Sequence, residues 1–318
     1  MQRRDLLKLS LALGAATLAS PLAIAASDDR VLRIGYQKFN TLNILKGTGE
    51  LEKALASQGW KVQWFEFVAG PQLLEALNAG SIDFGHAADT PSVFAQAAGV
   101  NAVYLAAEQP YPAGIGLLVP SSSTARHVAD LKGRKVAVGR GWNVQYLLVR
   151  ALAEAGLRFD DIQPIYVTNA ADARAVFESG QADAVGLWDP FLAGAQIATN
   201  PRLLRDGNGL SNNRTFYLAS PSFAKANGAI LKRVFAELVK TNTWAQAHPQ
   251  EVADLLAPQL GIPAPVLKLA TGRRNYSAVP LTDAIVAEQQ LIADTFLDLK
   301  LIPRAIRVKE SVFGEVLV

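Results

Sequence analysis

The chain has 318 residues, of which 50% are hydrophobic and 19% are charged, so it can bury one large or two medium cores and does not have a disordered composition. It contains no cysteine, which excludes disulfides, thiolate nucleophiles, cysteine-based metal sites and a lipid anchor on an N-terminal cysteine. The formal net charge is +3 and no dense run of Lys and Arg is present, so the composition does not indicate nucleic-acid binding.

The first residues have the pattern of an export signal. Arg3 and Arg4 precede an apolar run of small residues, and Ala23–Ala25 offers a cleavage site. The Arg pair is typical of a twin-arginine signal, while the apolar run also suits a Sec signal, and Pro21 argues against a membrane anchor. We therefore predict that residues 1–25 are a signal peptide and that the protein is periplasmic. Removing three of the 31 basic and one of the 28 acidic residues leaves a net charge of +1.

The next stretch alternates short apolar runs with amphipathic segments, which is typical of a β/α fold with a largely parallel sheet. The predicted strands are Val31–Tyr36, Lys61–Val68 and Ile82–Gly85. The predicted helices run from about Leu42 to Gln58, from Gly70 to Gly80, and from Thr90-Pro91 onward, with the Thr90 hydroxyl as a cap.

The same order of elements returns about a hundred residues later. The second set of strands is Lys135–Gly139, Ile162–Val167 and Ala182–Trp188, and its helices are Asn143–Ala155, Ala171–Glu178 and one from Pro190. In both sets a helix ends on Gly and an Asp follows three residues later, at Asp83 and at Asp183. This repeat predicts two α/β lobes.

We assign residues 26–110 together with 215–318 to the first lobe and residues 111–214 to the second. The chain is expected to cross between them within Ala102–Pro120 and to return near Thr215–Ala219. Apolar residues recur at helical spacing in the C-terminal third, which predicts further helices there. These residues are Ile230, Val234, Leu238, Ala245, Ile285, Gln289, Ile292, Phe296 and Leu299.

Four strand-to-helix turns are candidates for a ligand site, because ligands of open parallel sheets bind beyond the C-terminal ends of the strands. They are Gln37–Leu42, Ala87–Pro91, Gly139–Asn143 and Trp188–Pro190. Each turn leads into a helix whose free N–H groups and dipole favour an anion. The same turns also have purely structural interpretations, namely helix capping at Thr90 and Asp189 and a tight turn at Gly139 and Gly141.

Two aromatic residues and several cations add to this hypothesis. Trp142 and Trp188 stand at turns, where they could line the cleft around an apolar part of the ligand. Positive charge could come from the Arg273-Arg274 pair, from Lys38 or from Arg140, although an adjacent Arg pair is usually a solvated helix end.

Catalytic and cofactor sites find little support in the sequence. No G-x-S-x-G, H-E-x-x-H or P-loop motif is present, and Val144 stands where a dinucleotide-binding glycine turn needs its third Gly. His86 ends a strand and is the candidate base of an enzyme, with a packed structural histidine as the simpler interpretation. We predict no cofactor and no metal.

Taken together, these stretches resemble the aliphatic sulfonate-binding proteins of bacterial ABC importers, over almost the whole mature chain. The matching segments are Ile34–Lys38, Gly70–Glu75, Gly80–Gly85, Pro91–Gly99, Asn143–Leu152, Trp188–Phe191 and Ile292–Pro303. The resemblance implies a two-lobed type II periplasmic binding fold, in which each lobe is a mostly parallel sheet flanked by helices and two strands cross between the lobes.

The resemblance also implies a function and a site. The protein is expected to bind aliphatic sulfonates with high affinity as a monomer, and to deliver them to an inner-membrane permease with a cytoplasmic ATPase for sulfur acquisition. The ligand-binding residues implied, with their neighbours in the same turns, are Gln37, Thr41, Leu42, Asp89, Thr90, Gly141, Trp142, Asn143, Trp188 and Arg273. Asp89 replaces an expected Glu and Trp142 an expected small residue. Asp89 is expected to orient neighbouring donors or to pair with the amine of a zwitterion such as taurine.

Three other functions are open. A taurine- or nitrate-binding protein has the same fold and differs only in the ligand. A pyrimidine-synthesis type of enzyme on this scaffold requires a base such as His86 and a cytoplasmic location. A DNA-binding regulator is disfavoured, because no helix-turn-helix precedes Val31.

Overall fold

A computed structural model describes residues 30–318 of the chain. The predicted signal peptide, residues 1–25, lies outside the described residues. The strands are β1 (Arg30–Gln37), β2 (Trp60–Phe67), β3 (Phe84–Ala88), β4 (Val103–Ala107), β5 (Ile115–Val119), β6 (Lys135–Val138), β7 (Gln163–Tyr166), β8 (Ala184–Trp188), β9 (Arg202–Asp206) and β10 (Thr215–Ala219). The helices are α1 (Thr41–Thr48), α2 (Glu50–Ala56), α3 (Gly70–Asn78), α4 (Asp89–Ala98), α5 (Asn143–Glu154), α6 (Ala170–Glu178), α7 (Phe191–Thr199), α8 (Pro221–Ala226), α9 (Gly228–Ala247), α10 (Pro249–Leu260), α11 (Ala264–Thr271) and α12 (Asp283–Asp298).

The strands form two five-stranded sheets with corresponding orders, β2-β1-β3-β10-β4 and β7-β6-β8-β5-β9. Strand β1 is parallel to β3, and β6 is parallel to β7 and β8. Strand β10 runs antiparallel to β3 and β4, as β5 does to β8 and β9. The predicted α/β class with two helix-flanked sheets is confirmed, and each sheet is mixed. The lobe boundaries at residues 110 and 215 stay a prediction.

The repeated aspartates hold equivalent positions in the two sheets. The Asp83 carboxylate accepts hydrogen bonds from the backbone N–H and the guanidinium of Arg33 in β1. Asp183 accepts from the backbone N–H of Lys135 in β6 at 2.8 Å. Each carboxylate therefore holds the neighbouring parallel strand, β1 at Arg33 and β6 at its first residue Lys135, and β3 and β8 begin one residue after the aspartate.

Two local predictions about the helices are wrong. The helix predicted from Leu42 to Gln58 is divided at Gly49, whose φ of +68° is left-handed and ends α1 before α2 begins. Thr90 does not cap α4, because the helix begins at Asp89 and the N-cap residue is Ala88. The Thr90 hydroxyl instead donates to Asp89 Oδ1 at 3.1 Å.

The C-terminal helices pack against elements of both sheets. Ile292 and Phe296 of α12 belong to the same apolar cluster as Val93 of α4 and the buried residues of the second sheet. Phe296 is fully buried and its ring meets Phe94 edge-on at a centroid distance of 4.9 Å. Burial of one such side chain stabilises the fold by about 1.5–3 kcal/mol. Residue pairs on α11 and α7 are also in contact, so these helices fix the positions of the turns between the sheets.

Within residues 30–318, no helix has both the length and the apolar composition needed to cross a membrane. The same residues contain no group of three or more His, Cys, Asp or Glu side chains arranged to hold a metal ion.

Candidate ligand-binding site

The four predicted turns meet at one cavity of about 60 Å³. Its wall includes Gln37 at the end of β1, Ala88 at the end of β3, Trp142 and Asn143 at the start of α5, and Trp188 at the end of β8. One buried water needs roughly 10–15 Å³ measured in this way. The cavity, which we call the inner chamber, therefore has room for a small headgroup and not for a long organic molecule.

Four of the ten predicted site residues line the inner chamber, namely Gln37, Trp142, Asn143 and Trp188. Two others, in α1, turn away from it: the Thr41 hydroxyl donates to Asn242 Oδ1 at 2.7 Å, and Leu42 is part of an apolar cluster.

Three more predicted residues lie behind the chamber wall. Thr90 is fully buried and hydrogen-bonded to Asp89. Gly141 lies against the ring of Phe94, and the Gly141 N–H donates to Gln145 Oε1. Asp89 lines a different cavity of about 260 Å³ together with Arg214 and Glu288. Burial raises the pKa of Asp89 to about 6.

The Arg pair divides between two roles. Arg273 Nη1 donates to the carboxylate of Asp189 at 3.2 and 3.3 Å, and Arg273 Nη2 donates to Gln196. Arg274 is the member of the pair that lines the inner chamber. It lies next to the predicted Arg273, and since both follow the same apolar helix, the sequence contains no signal that separates them.

Arg274 is buried in a mixed acidic and aromatic environment. Its Nη2 donates to the buried Glu108, and its guanidinium lies 5.7, 5.2 and 5.7 Å from the ring centroids of Phe39, Tyr111 and Tyr276. Among the described residues, its Nε–H has no hydrogen-bond acceptor. Burial by itself lowers the pKa of Arg274. The charges of Glu108 and the neighbouring tyrosines raise the pKa by more than burial lowers it, so the pKa of Arg274 is above its ordinary value. The chamber wall therefore carries a permanent cation with unused donor capacity.

The helix starts around the chamber differ in how their N–H groups are used. Asn40 caps α1 by accepting from Leu42 N–H, and Asp189 Oδ1 accepts from Ala193 N–H in α7. In α4, Asp89 accepts from Thr90 N–H. Helix α5 begins after Trp142 and receives no side-chain cap from the described residues. Because the first N–H groups of a helix have no intrahelical acceptor, the start of α5 is the part of the wall that best suits an anion.

His86 is a neutral donor rather than a free base. Its Nε2 accepts from the Gln37 backbone N–H at 3.2 Å, so the neutral ring carries its proton on Nδ1. Burial, aided by the nearby Arg274 charge, lowers the pKa of His86 to about 3. The nitrogen that general-base catalysis would need is therefore already engaged.

The two indoles form one aromatic unit. Trp142 and Trp188 meet edge-on at 4.8 Å, and Trp188 meets Phe191 at 5.4 Å. A Cβ atom on Gly139 would lie 1.9 Å from the Trp142 ring, so only glycine leaves room for this indole.

Some wall residues were missed by the sequence interpretation. Tyr111, Asn213 and Thr215 line the chamber from the two segments that connect the sheets. These segments were predicted as crossings between lobes, and a crossing necessarily passes the cleft. That was the signal available, but it did not identify particular side chains.

Comparison with known proteins gives the family. The model of the family described as NMT1/THI5 like matches residues 56–252. The aliphatic sulfonates-binding protein of Escherichia coli strain K12 is 39% identical over 311 residues, which is 98% of this chain and 97% of that protein. This chain belongs to the aliphatic sulfonate-binding protein family.

Solved structures extend the family likeness to the fold. The alkanesulfonate-binding protein SsuA from Xanthomonas axonopodis pv. citri, bound to MOPS, is 38% identical with a TM-score of 0.85, over 91% of this chain and 99% of that one. The periplasmic aliphatic sulphonate binding protein SsuA from Escherichia coli is 39% identical with a TM-score of 0.81, over 90% and 92%. The predicted periplasmic binding protein fold is confirmed. The desulfurization enzyme DszB, at 17% identity and a TM-score of 0.67, shares the fold alone.

Proposed function

We propose that this chain binds aliphatic sulfonates in the periplasm and delivers them to an ABC importer. The three similar proteins described above are named for sulfonate binding, and the Escherichia coli structure is described as periplasmic. The observation that carries the proposal is the buried Arg274 in the wall of a chamber onto which the uncapped start of α5 opens.

A sulfonate matches the chemistry of this chamber. It is ionised at every physiological pH and offers only acceptor oxygens, so its site needs donors and no base. The described wall supplies the first N–H groups of α5, the Arg274 guanidinium and the Nδ1–H of His86. The wall carboxylate of Asp189 is already neutralised by Arg273. Glu108 balances the Arg274 charge in the same way, so the unused hydrogen-bond donors of the wall, rather than a net positive charge, favour an anionic guest.

The taurine alternative needs a carboxylate that faces the ligand's amine. Asp89, the residue considered for that role, lines the other cavity and accepts from Thr90, while Asp189 is engaged by Arg273, Tyr111 and Ala193. Glu66 lies outside the inner chamber, in the wall of an adjoining cavity, and accepts from the Tyr36 hydroxyl. We therefore propose a sulfonate without an amine beside its headgroup. Nitrate needs no organic pocket, whereas indoles and a further apolar chamber adjoin this site.

The remaining parts of the proposal concern the cell. The mature chain, residues 26–318, acts as a monomer whose two lobes, residues 26–110 with 215–318 and residues 111–214, close around the ligand. Its partner is an inner-membrane permease with a cytoplasmic ATPase. The export signal pattern in residues 1–25 supports this location.

The test is calorimetric titration of the mature protein with butanesulfonate, taurine, nitrate and sulfate. Arg274→Gln should weaken butanesulfonate binding by about 10- to 150-fold, the value of a hydrogen bond to a charged group. Arg307→Gln is the matched control, since its side chain is 84% exposed, and it should bind as the unmodified protein does. Binding of nitrate or sulfate without binding of any sulfonate would overturn the proposal.

A further inference from the structure

A second cavity adjoins the inner chamber on the side away from Arg274. Its volume is about 180 Å³, and it shares Gln37, Lys38 and Trp188 with the inner chamber. The rest of its wall is Glu66–Val68, at the end of β2, and Asn169–Ala171 with Phe191, at the starts of α6 and α7. We call this cavity the outer chamber.

The outer chamber is mostly apolar. Phe67, Val68 and Phe191 contribute hydrocarbon or aromatic surface, and Trp188 forms the boundary with the inner chamber. Val68 is 63% exposed, and an exposed large aliphatic side chain at the mouth of a cavity has apolar surface available to a ligand.

The polar groups of the outer chamber do not form a second anion site. The N-terminus of α6 is capped, because Asn169 Oδ1 accepts from Asp172 N–H at 2.9 Å. Lys38 Nζ donates to the Leu260 carbonyl at 3.1 Å. The other charged side chain in the described wall is Glu66, which repels an anion.

From these contacts we propose that the outer chamber binds the organic group of the sulfonate and sets its preferred length. Val68, just after β2, and Ala171, in α6, are both exposed in the wall of the chamber and determine which tails are accepted. The inference rests on the proposed function, because it assumes a headgroup in the inner chamber, which is too small for the tail. The preferred tail is neutral and apolar, and a tail that ends in a second anion is rejected.

The first measurement is a series of dissociation constants for methane-, ethane-, butane- and hexanesulfonate with the mature protein. Each methylene that enters the outer chamber should tighten binding about fourfold, until the chamber is filled. Sulfoacetate should bind about tenfold more weakly than a neutral sulfonate of similar size, because its carboxylate loses water beside Glu66.

The second measurement uses variants. Val68→Glu and Ala171→Trp should each reduce the ratio of hexanesulfonate to methanesulfonate affinity by about tenfold or more, by adding charge or by filling space. Val316→Glu is the matched control for the charge, because Val316 is 67% exposed and Val68 is 63% exposed. The control should keep the affinity ratio of the unmodified protein.

The possible failures are distinguishable. If methanesulfonate binds but affinity does not change with tail length, or if both variants keep the original ratio, the outer chamber is not the tail site and the proposed function survives. If no sulfonate binds, the proposed function fails and this inference fails with it.

Discussion

Replacing Glu108 by Gln tests the electrostatic account of the chamber. Glu108 is 2% exposed; it pairs with Arg274 and accepts from the Tyr217 hydroxyl at 2.8 Å. Glu108→Gln keeps the shape and removes the charge, which leaves the Arg274 cation buried without a counter-ion. Breaking a buried pair in this way costs about 3–5 kcal/mol of unfolding free energy. At about 2–4 °C per kcal/mol, the melting temperature should fall by about 6–20 °C.

The same substitution should increase the stabilisation that a ligand provides. A bound sulfonate supplies the negative charge that Glu108→Gln removes, so butanesulfonate should raise the melting temperature of the variant more than that of the unmodified protein. Thermal unfolding with and without ligand measures both effects. Glu154→Gln is the control, because Glu154 pairs with Arg205 while 51% exposed and should change stability by about 0–1 kcal/mol. An equal fall in melting temperature for Glu108→Gln and Glu154→Gln would refute the reasoning.

Three further predictions concern other parts of the site. Gly139→Ala should abolish butanesulfonate binding in titration while the far-ultraviolet circular dichroism stays native, because the added Cβ would lie 1.9 Å from the Trp142 ring. Since burial raises the Asp89 pKa from 3.8 to about 6, the folded state holds this proton longer than the unfolded state, and stability falls as pH rises through that interval. Urea unfolding at about pH 4.5 and 7.5 should show that Asp89→Asn gains more stability over the unmodified protein at the higher pH than at the lower one. Asp189→Asn should destabilise by about 3 kcal/mol in urea, because it leaves Arg273 without its carboxylate; a loss no larger than that of Glu154→Gln would contradict this.

Much of the fold could be predicted because its signals are local. The alternation of apolar runs and helical segments predicted both sheets, and the repeated Gly and Asp spacing predicted that the same α/β unit occurs twice. Gly49 shows the limit of such signals. The residue lies inside the predicted helix Leu42–Gln58, but its left-handed backbone ends α1 and divides that helix.

The candidate site was predictable at the level of turns and not at the level of side chains. Gln37, Trp142, Asn143 and Trp188 line the inner chamber because their turns point there. Thr41 follows one of the same turns, yet its hydroxyl bonds to Asn242, which is 201 residues away in the sequence.

The sequence by itself determined the α/β class, the duplicated unit and the convergence of strand ends, because these depend on residue periodicity and on backbone chirality. Only the tertiary structure decided that Arg274 rather than Arg273 lines the chamber, that Asp89 lines another cavity, and that the start of α5 receives no side-chain cap from the described residues. The physical reason is that a charged side chain turns toward its partner, and Arg274 finds Glu108 166 residues earlier in the chain.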